Sequence, residues 1–226
     1  MIAAFRIISL FENMPDSELA HIASLCTVRS YQRHAELLSE HEETNDVFFV
    51  FSGTVRITSY TEGGREVIFH DISEGGIFGE FSAIDHLPRS ATAVAQTDCL
   101  LARMPAERLH EALRRNNGLA ISLIELLVAK MRAMSERVVE VSALAVRERV
   151  RRELLRLVAT QGIVVHGCVT INSAPTHYEF ASRIGSHREA VTREFNRLEG
   201  ERVIEASRRQ IRILNLAQLK AGLAGR

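Results

Sequence analysis

Ile77-Phe-Gly-Glu-Phe-Ser-Ala-Ile-Asp-His-Leu-Pro-Arg-Ser-Ala-Thr-Ala-Val94 is the stretch on which the reading of this chain turns. It runs from an apolar strand end through a glycine turn, a short helix and a proline loop to an Arg-Ser pair that leads into another strand. Gly79 carries no Cβ, so the backbone can approach a ligand closely. The helical turn after Glu80 aims free amides and the positive end of its dipole outward, which suits an anion. Arg89 adds a planar, permanently charged fork that can grip phosphate oxygens, and Ser90 adds a hydroxyl beside it. Glu80 would repel a phosphate. Its place makes sense if the ligand carries a hydroxyl donor a few ångströms from the phosphate, as a ribose does. Gly79-Glu80 alone reads as a surface turn and Arg89 alone as a surface cation. Together, between two strand-like runs, they point to a ligand.

Working outward, residues 28–101 read as short strands. Asp46-Val-Phe-Phe-Val-Phe51 is a continuous apolar run that suits a buried strand, and Val55, Ile57 and Ser59 then alternate with Arg56 and Thr58. Gly63-Gly64 and Gly75-Gly76 supply turns, so a small barrel or roll is expected. Ile57 and Phe69 either line a ligand pocket or belong to plain core. Before the strands, residues 5–27 show helical spacing from a start at Pro15-Asp16-Ser17. After them, residues 105–145 read as helix with Gly118 as the weak point, a short helix running to about Arg115 and a long one following.

In that helix Ala120, Ile124, Leu127, Met131, Met134, Val138, Val141 and Ala145 alternate by four and three, a coiled-coil seam over more than three heptads. So narrow a stripe favours a partner helix, and symmetry makes that partner a second copy in a parallel homodimer. The interface residues are Ile124, Leu127, Met131, Met134, Val138 and Val141.

Helical periodicity resumes over residues 146–157 and ends at Gln161-Gly162, and a short hairpin or loop with Gly167 at its turn is expected over residues 163–171. Thr176-His-Tyr-Glu179 and Ser186-His-Arg-Glu189 both have the form of a capping box, with Gly185 between them. Two short helices joined by a tight glycine turn form a helix-turn-helix. On the second helix Ala190, Val191, Phe195 and Leu198 share one arc and would pack inward. Arg188, Glu189, Thr192, Arg193 and Asn196 share the opposite arc. Arginine reads guanine N7 and O6, and glutamate accepts from the cytosine amino group, so this arc suits base reading. Glu199-Gly-Glu-Arg202 and residues 203–214 read as a turn and a two-stranded wing, with Arg208 and Arg209 at its tip as phosphate contacts and Asn215 capping a closing helix.

The charge is divided to match. The chain has 28 basic and 28 acidic residues in all. Residues 1–144 hold 13 basic against 20 acidic residues, and residues 145–226 hold 15 against 8. A basic C-terminal part suggests a polyanionic partner. No apolar run approaches the roughly 18 residues that span a bilayer. The start of the chain does not read as a signal peptide, so a cytoplasmic protein is expected. Cys26, Cys99 and Cys168 are too scattered for a disulfide framework or a zinc site and read as reduced, packed thiols. No nucleophile–base constellation or metal cluster stands out, so the expected chemistry is binding, without catalysis, metal or cofactor.

The run around Gly79 resembles the phosphate-binding cassette of cyclic-nucleotide-binding domains, and the whole chain resembles the Crp/Fnr family of transcription regulators. Phe78, Gly79, Glu80, Pro88, Arg89, Ser90, Ala91 and Val94 stand where the family's pattern has them. The resemblance implies an α+β fold in three parts. These are a cyclic-nucleotide-binding β-roll (jelly roll) over 1–116, a dimerisation helix over 117–145 and a winged helix-turn-helix DNA-binding domain over 146–226.

It also assigns roles. Arg89 and Ser90 hold the cyclic phosphate, Glu80 holds the ribose hydroxyl, and the backbone around Gly79 and Phe81 makes close contact. Phe78, Ser82 and Ala91 complete the cassette. Where cAMP-binding relatives place two hydroxyls against adenine, this chain has Met134 and Ser135. A thioether cannot replace a threonine's hydrogen bond, so cAMP and cGMP both stay open. Arg188, Glu189 and Arg193 match the recognition-helix pattern, with His187, Thr192 and Thr176 as further DNA contacts.

The implied partners are a cyclic nucleotide, double-stranded DNA of roughly palindromic sequence, a second copy of the chain and RNA polymerase. The alternatives are a regulator with another effector or with constitutive activity, and a nucleotide-sensing subunit acting on a protein partner.

Overall fold

The computed structural model describes residues 2–165 and 168–223. By compactness the chain divides into two units, one up to Arg132 and the other from Ala133 on. The division falls inside the long helix.

The first unit begins with α1 (Ile2–Arg6), a 3₁₀ turn (Ser9–Phe11) and α2 (Asp16–Ser24), in place of one helical stretch over 5–27. Pro15 has no amide hydrogen to continue the preceding turn, and its fixed φ suits the start of α2. The strands follow: β1 (Thr27–Tyr31), β2 (Glu36–Leu38), β3 (Val47–Ser52), β4 (Thr54–Tyr60), β5 (Glu66–Ser73) and β6 (Ile77–Phe78). The helix α3 (Glu80–Asp85) separates these from β7 (Thr92–Ala95) and β8 (Cys99–Met104). They form two antiparallel sheets, β1-β8-β3-β6 and β2-β7-β4-β5.

The continuous apolar run of β3 has a direct cause, since both of its faces are covered. Phe48 and Val50 meet Val55, Ile72, Ala93 and Ala95 of the other sheet. Val47, Phe49 and Phe51 point the other way, into a core built with Phe5, Phe11, Leu19, Leu109 and Leu123 from the helices. A strand buried on both sides loses the alternation of a half-exposed one.

The helix α4 (Ala106–Arg115) is followed by α5 (Asn117–Ala143). The break falls after Arg115, where the sequence suggests it, and the Asn116 carboxamide oxygen accepts from the amide of Leu119 at 2.9 Å and caps α5. Gly118 lies within the first turn. Leu119 and Leu123 are buried, and Leu126 and Leu127 pack beside them on the first unit's core. Leu127, expected in the seam, therefore lies half-buried against its own unit. The other seam positions stay open, with Ile124 at 55%, Met131 at 67%, Met134 at 57%, Val138 at 64% and Val141 at 45% exposure.

The second unit contains the end of α5, then α6 (Val146–Gln161), β9 (Ile163–Val165), β10 (Cys168–Ile171), α7 (His177–Ile184), α8 (Arg188–Gly200), β11 (Ile204–Ser207), β12 (Gln210–Ile213) and α9 (Leu216–Ala221). Its sheet has the order β11-β12-β10-β9, all antiparallel. The expected turn glycine Gly167 lies outside the described residues. Val150, Leu154, Phe180, Val191, Phe195, Leu198, Ile211 and Ile213 build the core. Buried charges are paired, as the cost of desolvation demands. Arg151 donates to the carbonyls of Gln218 and Leu219 at 3.1 and 3.2 Å and so anchors α9. Glu140 near the end of α5 accepts from Arg156 of α6, and Arg137 reaches Glu153 at 3.2 Å and the carbonyl of Arg183.

Candidate functional site

The cassette is closed by its own backbone. Gly79 sits at φ 79° as the N-cap of α3, and a Cβ there would lie 2.7 Å from the Asp46 carbonyl oxygen and 2.9 Å from Arg89 Nη1. Only glycine fits. The loop carrying Arg89 is pinned to the turn before β3, because the Arg89 amide donates to Glu42 O and the His41 amide to Arg89 O, both at 2.9 Å.

Arg89 is 2% exposed. Its Nε donates to Thr44 Oγ1 at 2.9 Å, Nη1 to Gly79 O at 3.0 Å and Nη2 to Asp46 O at 2.9 Å. A guanidinium has five N–H donors. Three are directed to the protein, and one remains on each of the two Nη atoms. The fork is thus oriented in advance of any ligand. Burial pushes its pKa down, and the carboxylates of Asp46, Glu42 and Glu80 oppose that. It stays a cation throughout the physiological range.

Glu80 is also buried, and its carboxylate lies 2.7 Å from Lys130 Nζ. Lys130 donates in addition to Ile77 O at 3.2 Å. This lysine is the cassette residue that the sequence reading missed. Its signal was there, because Leu119, Leu123, Leu126 and Lys130 recur at helical spacing on the face of α5 turned to the first unit, and a lysine on such a face needs an anion.

The remaining cassette residues divide. Phe78 is core, stacked on Phe48 at 5.0 Å. Ser82 is buried, Ala91 half-buried, and Phe81 and Ser90 exposed. Ile57 packs beside the inter-sheet core, and Phe69 stands exposed at the bulge opposite Ile57/Thr58. Met134 and Ser135 are exposed on α5, in the second unit. All three cysteines are free, and burial pushes the Cys26 thiol up to about 12, which leaves it unreactive. No group of three or more ligating side chains suited to a metal occurs among the described residues.

The helix-turn-helix is built as its sequence suggests, with one difference. The Thr176 hydroxyl accepts from the Glu179 amide at 3.2 Å, and the Glu179 carboxylate accepts from the Thr176 amide at 2.7 Å, which starts α7. Gly185, at φ 62°, ends α7 as its C-cap, a left-handed conformation that favours glycine. The second helix begins one residue later than expected. The N-cap of α8 is His187, without a side-chain cap, and Ser186 is buried in the turn, its amide donating to Ala181 O at 2.9 Å. At its other end α8 runs through Glu199 and Gly200, so the turn into the wing lies at Glu201–Arg202.

Arg188, Glu189, Arg193 and Asn196 are exposed together, Thr192 is half-buried, and Val191, Phe195 and Leu198 face the core. Arg209 of the wing turn, read as a phosphate contact, is ion-paired to Glu179 at 3.0 Å and braces the start of α7. Arg208 beside it is exposed.

Residues 28–116 match the model of the cyclic nucleotide-binding domain, and residues 148–221 that of the Crp-like helix-turn-helix domain. The chain is 24% identical over 192 residues to the cAMP-activated global transcriptional regulator CRP of Salmonella typhimurium, an alignment covering 84% of this chain and 91% of that one. It is also 24% identical over 203 residues to the CRP-like cAMP-activated global transcriptional regulator of Mycobacterium tuberculosis, covering 86% and 91%. Among solved structures its fold is similar to that of FixK2 from Bradyrhizobium japonicum, with TM-score 0.75 and 22% identity over 87% of this chain and 96% of that one. It is likewise similar to CLP from Xanthomonas campestris, with TM-score 0.79 and 18% identity over 88% and 99%. A nucleotide-binding roll and a Crp-like helix-turn-helix on one chain define a DNA-binding transcription regulator. The chain belongs to the Crp/Fnr family, whose members are regulators, not enzymes. No helix among the described residues is long and apolar enough to cross a membrane.

Proposed function

We propose that two copies of this chain form a regulator whose affinity for DNA is set by a cyclic nucleotide held in the cassette. The observation that carries this reading is the buried, pre-oriented fork of Arg89 beside the close approach at Gly79. Its two spare N–H groups would meet the cyclic phosphate, with Ser90 at the exposed rim. The buried carboxylate of Glu80 would accept from the ribose hydroxyl while keeping its bond to Lys130, since a carboxylate has about four acceptor positions. Ser135, and Met134 without a hydroxyl, would meet the base. The ligand is cAMP or cGMP, and the activation by cAMP that the names of the Salmonella and Mycobacterium relatives state supports the first. The Xanthomonas neighbour is described as c-di-GMP responsive, so that dinucleotide belongs in the same titration.

The exposed stripe of Ile124, Met131, Met134, Val138 and Val141 would close against the same stripe of a second copy. The dimer then presents two α8 helices to successive major grooves about one helical turn apart, which calls for a roughly palindromic site. Thr176, His187 and Arg208 would hold phosphates, and Arg188, Glu189, Thr192 and Arg193 would meet bases. RNA polymerase is the expected partner at the promoter, and the cytoplasm the expected compartment.

Calorimetry with the three cyclic nucleotides, followed by gel shifts on genomic fragments at fixed salt with and without the binder, tests the whole reading. Tight binding of one nucleotide, with DNA affinity changed at least tenfold, is expected. Unchanged DNA affinity defeats the switch and leaves a constitutive regulator or one with another effector. Nucleotide binding with no DNA binding at all leaves a sensing subunit for a protein partner. In the dimer, Val138→Glu places a charge in the apolar stripe, and sedimentation should show monomers where the parent chain shows dimers.

A further inference from the structure

We propose that His177 is a positioning residue for base reading, fixing the side chain of Thr192 on the recognition helix from its seat on α7. The proposal rests on α8 being the DNA-reading helix. His177 is the first residue of α7, and its ring Nδ1 lies 2.9 Å from Thr192 Oγ1. The same hydroxyl lies 3.0 Å from the carbonyl oxygen of Arg188, one turn back on α8. The imidazole is itself held in place. It packs on Phe195 with ring centroids 4.6 Å apart, and Phe180 meets Phe195 edge-on at 5.1 Å. The backbone under it is fixed by the Thr176–Glu179 capping box, which Arg209 braces from the wing.

A hydroxyl has a single proton. If Thr192 gives it to the Arg188 carbonyl, the ring must be the Nδ1–H tautomer and donate to Oγ1. If Thr192 gives it to Nδ1 instead, the carbonyl is a bystander. In both cases the proton is consumed inside the protein. Thr192 then has no donor for DNA and offers only its methyl group and acceptor lone pairs, one where the ring donates to it and two where it donates to the ring. Threonine in a helix otherwise divides between two χ1 rotamers. The contact with His177 selects one, and with it the chemistry shown to the base pair. Burial and the neighbouring Arg188, opposed by Glu199, keep the ring on the neutral side, so this bond persists at neutral pH.

The test uses the full chain and a pool of randomised duplexes. The parent, His177→Leu, His177→Phe, His177→Asn and Thr192→Val are each put through selection at one salt concentration, alongside thermal melts. The leucine and phenylalanine variants keep the packing on Phe195 and lose the bond. Either is expected to melt near the parent and to select the same site, except for about a tenfold loss of preference at one base pair per half-site. Asparagine places a donor where Nδ1 stood and should restore that preference. On a Thr192→Val background, His177→Leu should change nothing further, because the partner is gone. Unchanged preferences in both loss variants overturn the proposal. So does a loss spread evenly over all positions, which would mark a scaffold role, and so does failure of asparagine to restore. A parent chain that selects no sequence overturns the DNA-reading function itself and takes this proposal with it.

Discussion

The cassette and the recognition helix use the same residue types in opposite ways. In the cassette the arginine and the glutamate are buried and already bonded to the protein, Arg89 to Thr44, Gly79 and Asp46, and Glu80 to Lys130. On α8 Arg188, Glu189 and Arg193 stand exposed. The difference follows from the partner. A small ligand is enclosed, so its few polar contacts are oriented beforehand in a low-dielectric site where each is strong. DNA is met on an open face, where contacts form only on docking and the phosphate attraction depends on salt. Mutations should therefore affect stability and binding together in the cassette, and binding alone on α8.

The largest expected effect tests the first half of that contrast. Arg89→Ala removes the main charge partner of an enclosed anion and should weaken nucleotide binding by on the order of 2–4 kcal/mol by calorimetry. It also deprives the carbonyls of Gly79 and Asp46 of their donor, so the melting temperature should fall by several degrees. An unchanged melt would mean that the fork is not part of the frame. Arg193→Ala is the counterpart. Affinity for the selected duplex should drop by about 1–3 kcal/mol in a gel shift, with a melt close to the parent's. A large loss of stability there would erase the distinction.

Lys130→Met sharpens the contrast from another side. It strands the buried Glu80 carboxylate without a cation and should lower the stability of the first unit by about 1–3 kcal/mol in a urea titration. The smallest effect concerns pH. Burial and Arg188 lower the pKa of His177 below its usual 6.5, so the unfolded chain binds the more protons near that pH. Stability from this group is complete above about pH 6.5 and is lost as the pH falls below it. Melts between pH 7.5 and 5.5 should show that slope, and His177→Asn should flatten it.

Much of this was legible in the residues. The glycines of the turns, the apolar runs and the Thr176 capping box are local signals, and each marks its element. The misplacements share a cause. Ser186 lies in the turn, its amide on Ala181 O, and His187 rather than Ser186 is the N-cap of α8. Leu127 fits the heptad spacing and still packs on its own unit, because a helix has several apolar faces and spacing does not say which neighbour takes which.

The residues alone specify the parts: a roll of short strands with a Gly-Glu…Arg-Ser cassette, a long striped helix, and a helix-turn-helix with charges on one arc. These depend on spacing along the chain, which any reader of the residues can measure. The pairings exist only in the folded chain. Lys130 meets Glu80 across 50 positions, Arg89 meets Asp46 across 43, and His177 meets Thr192 across 15. Those partners depend on how faces come together, and a buried charge or a hydroxyl proton takes its role from whatever lies within bonding distance.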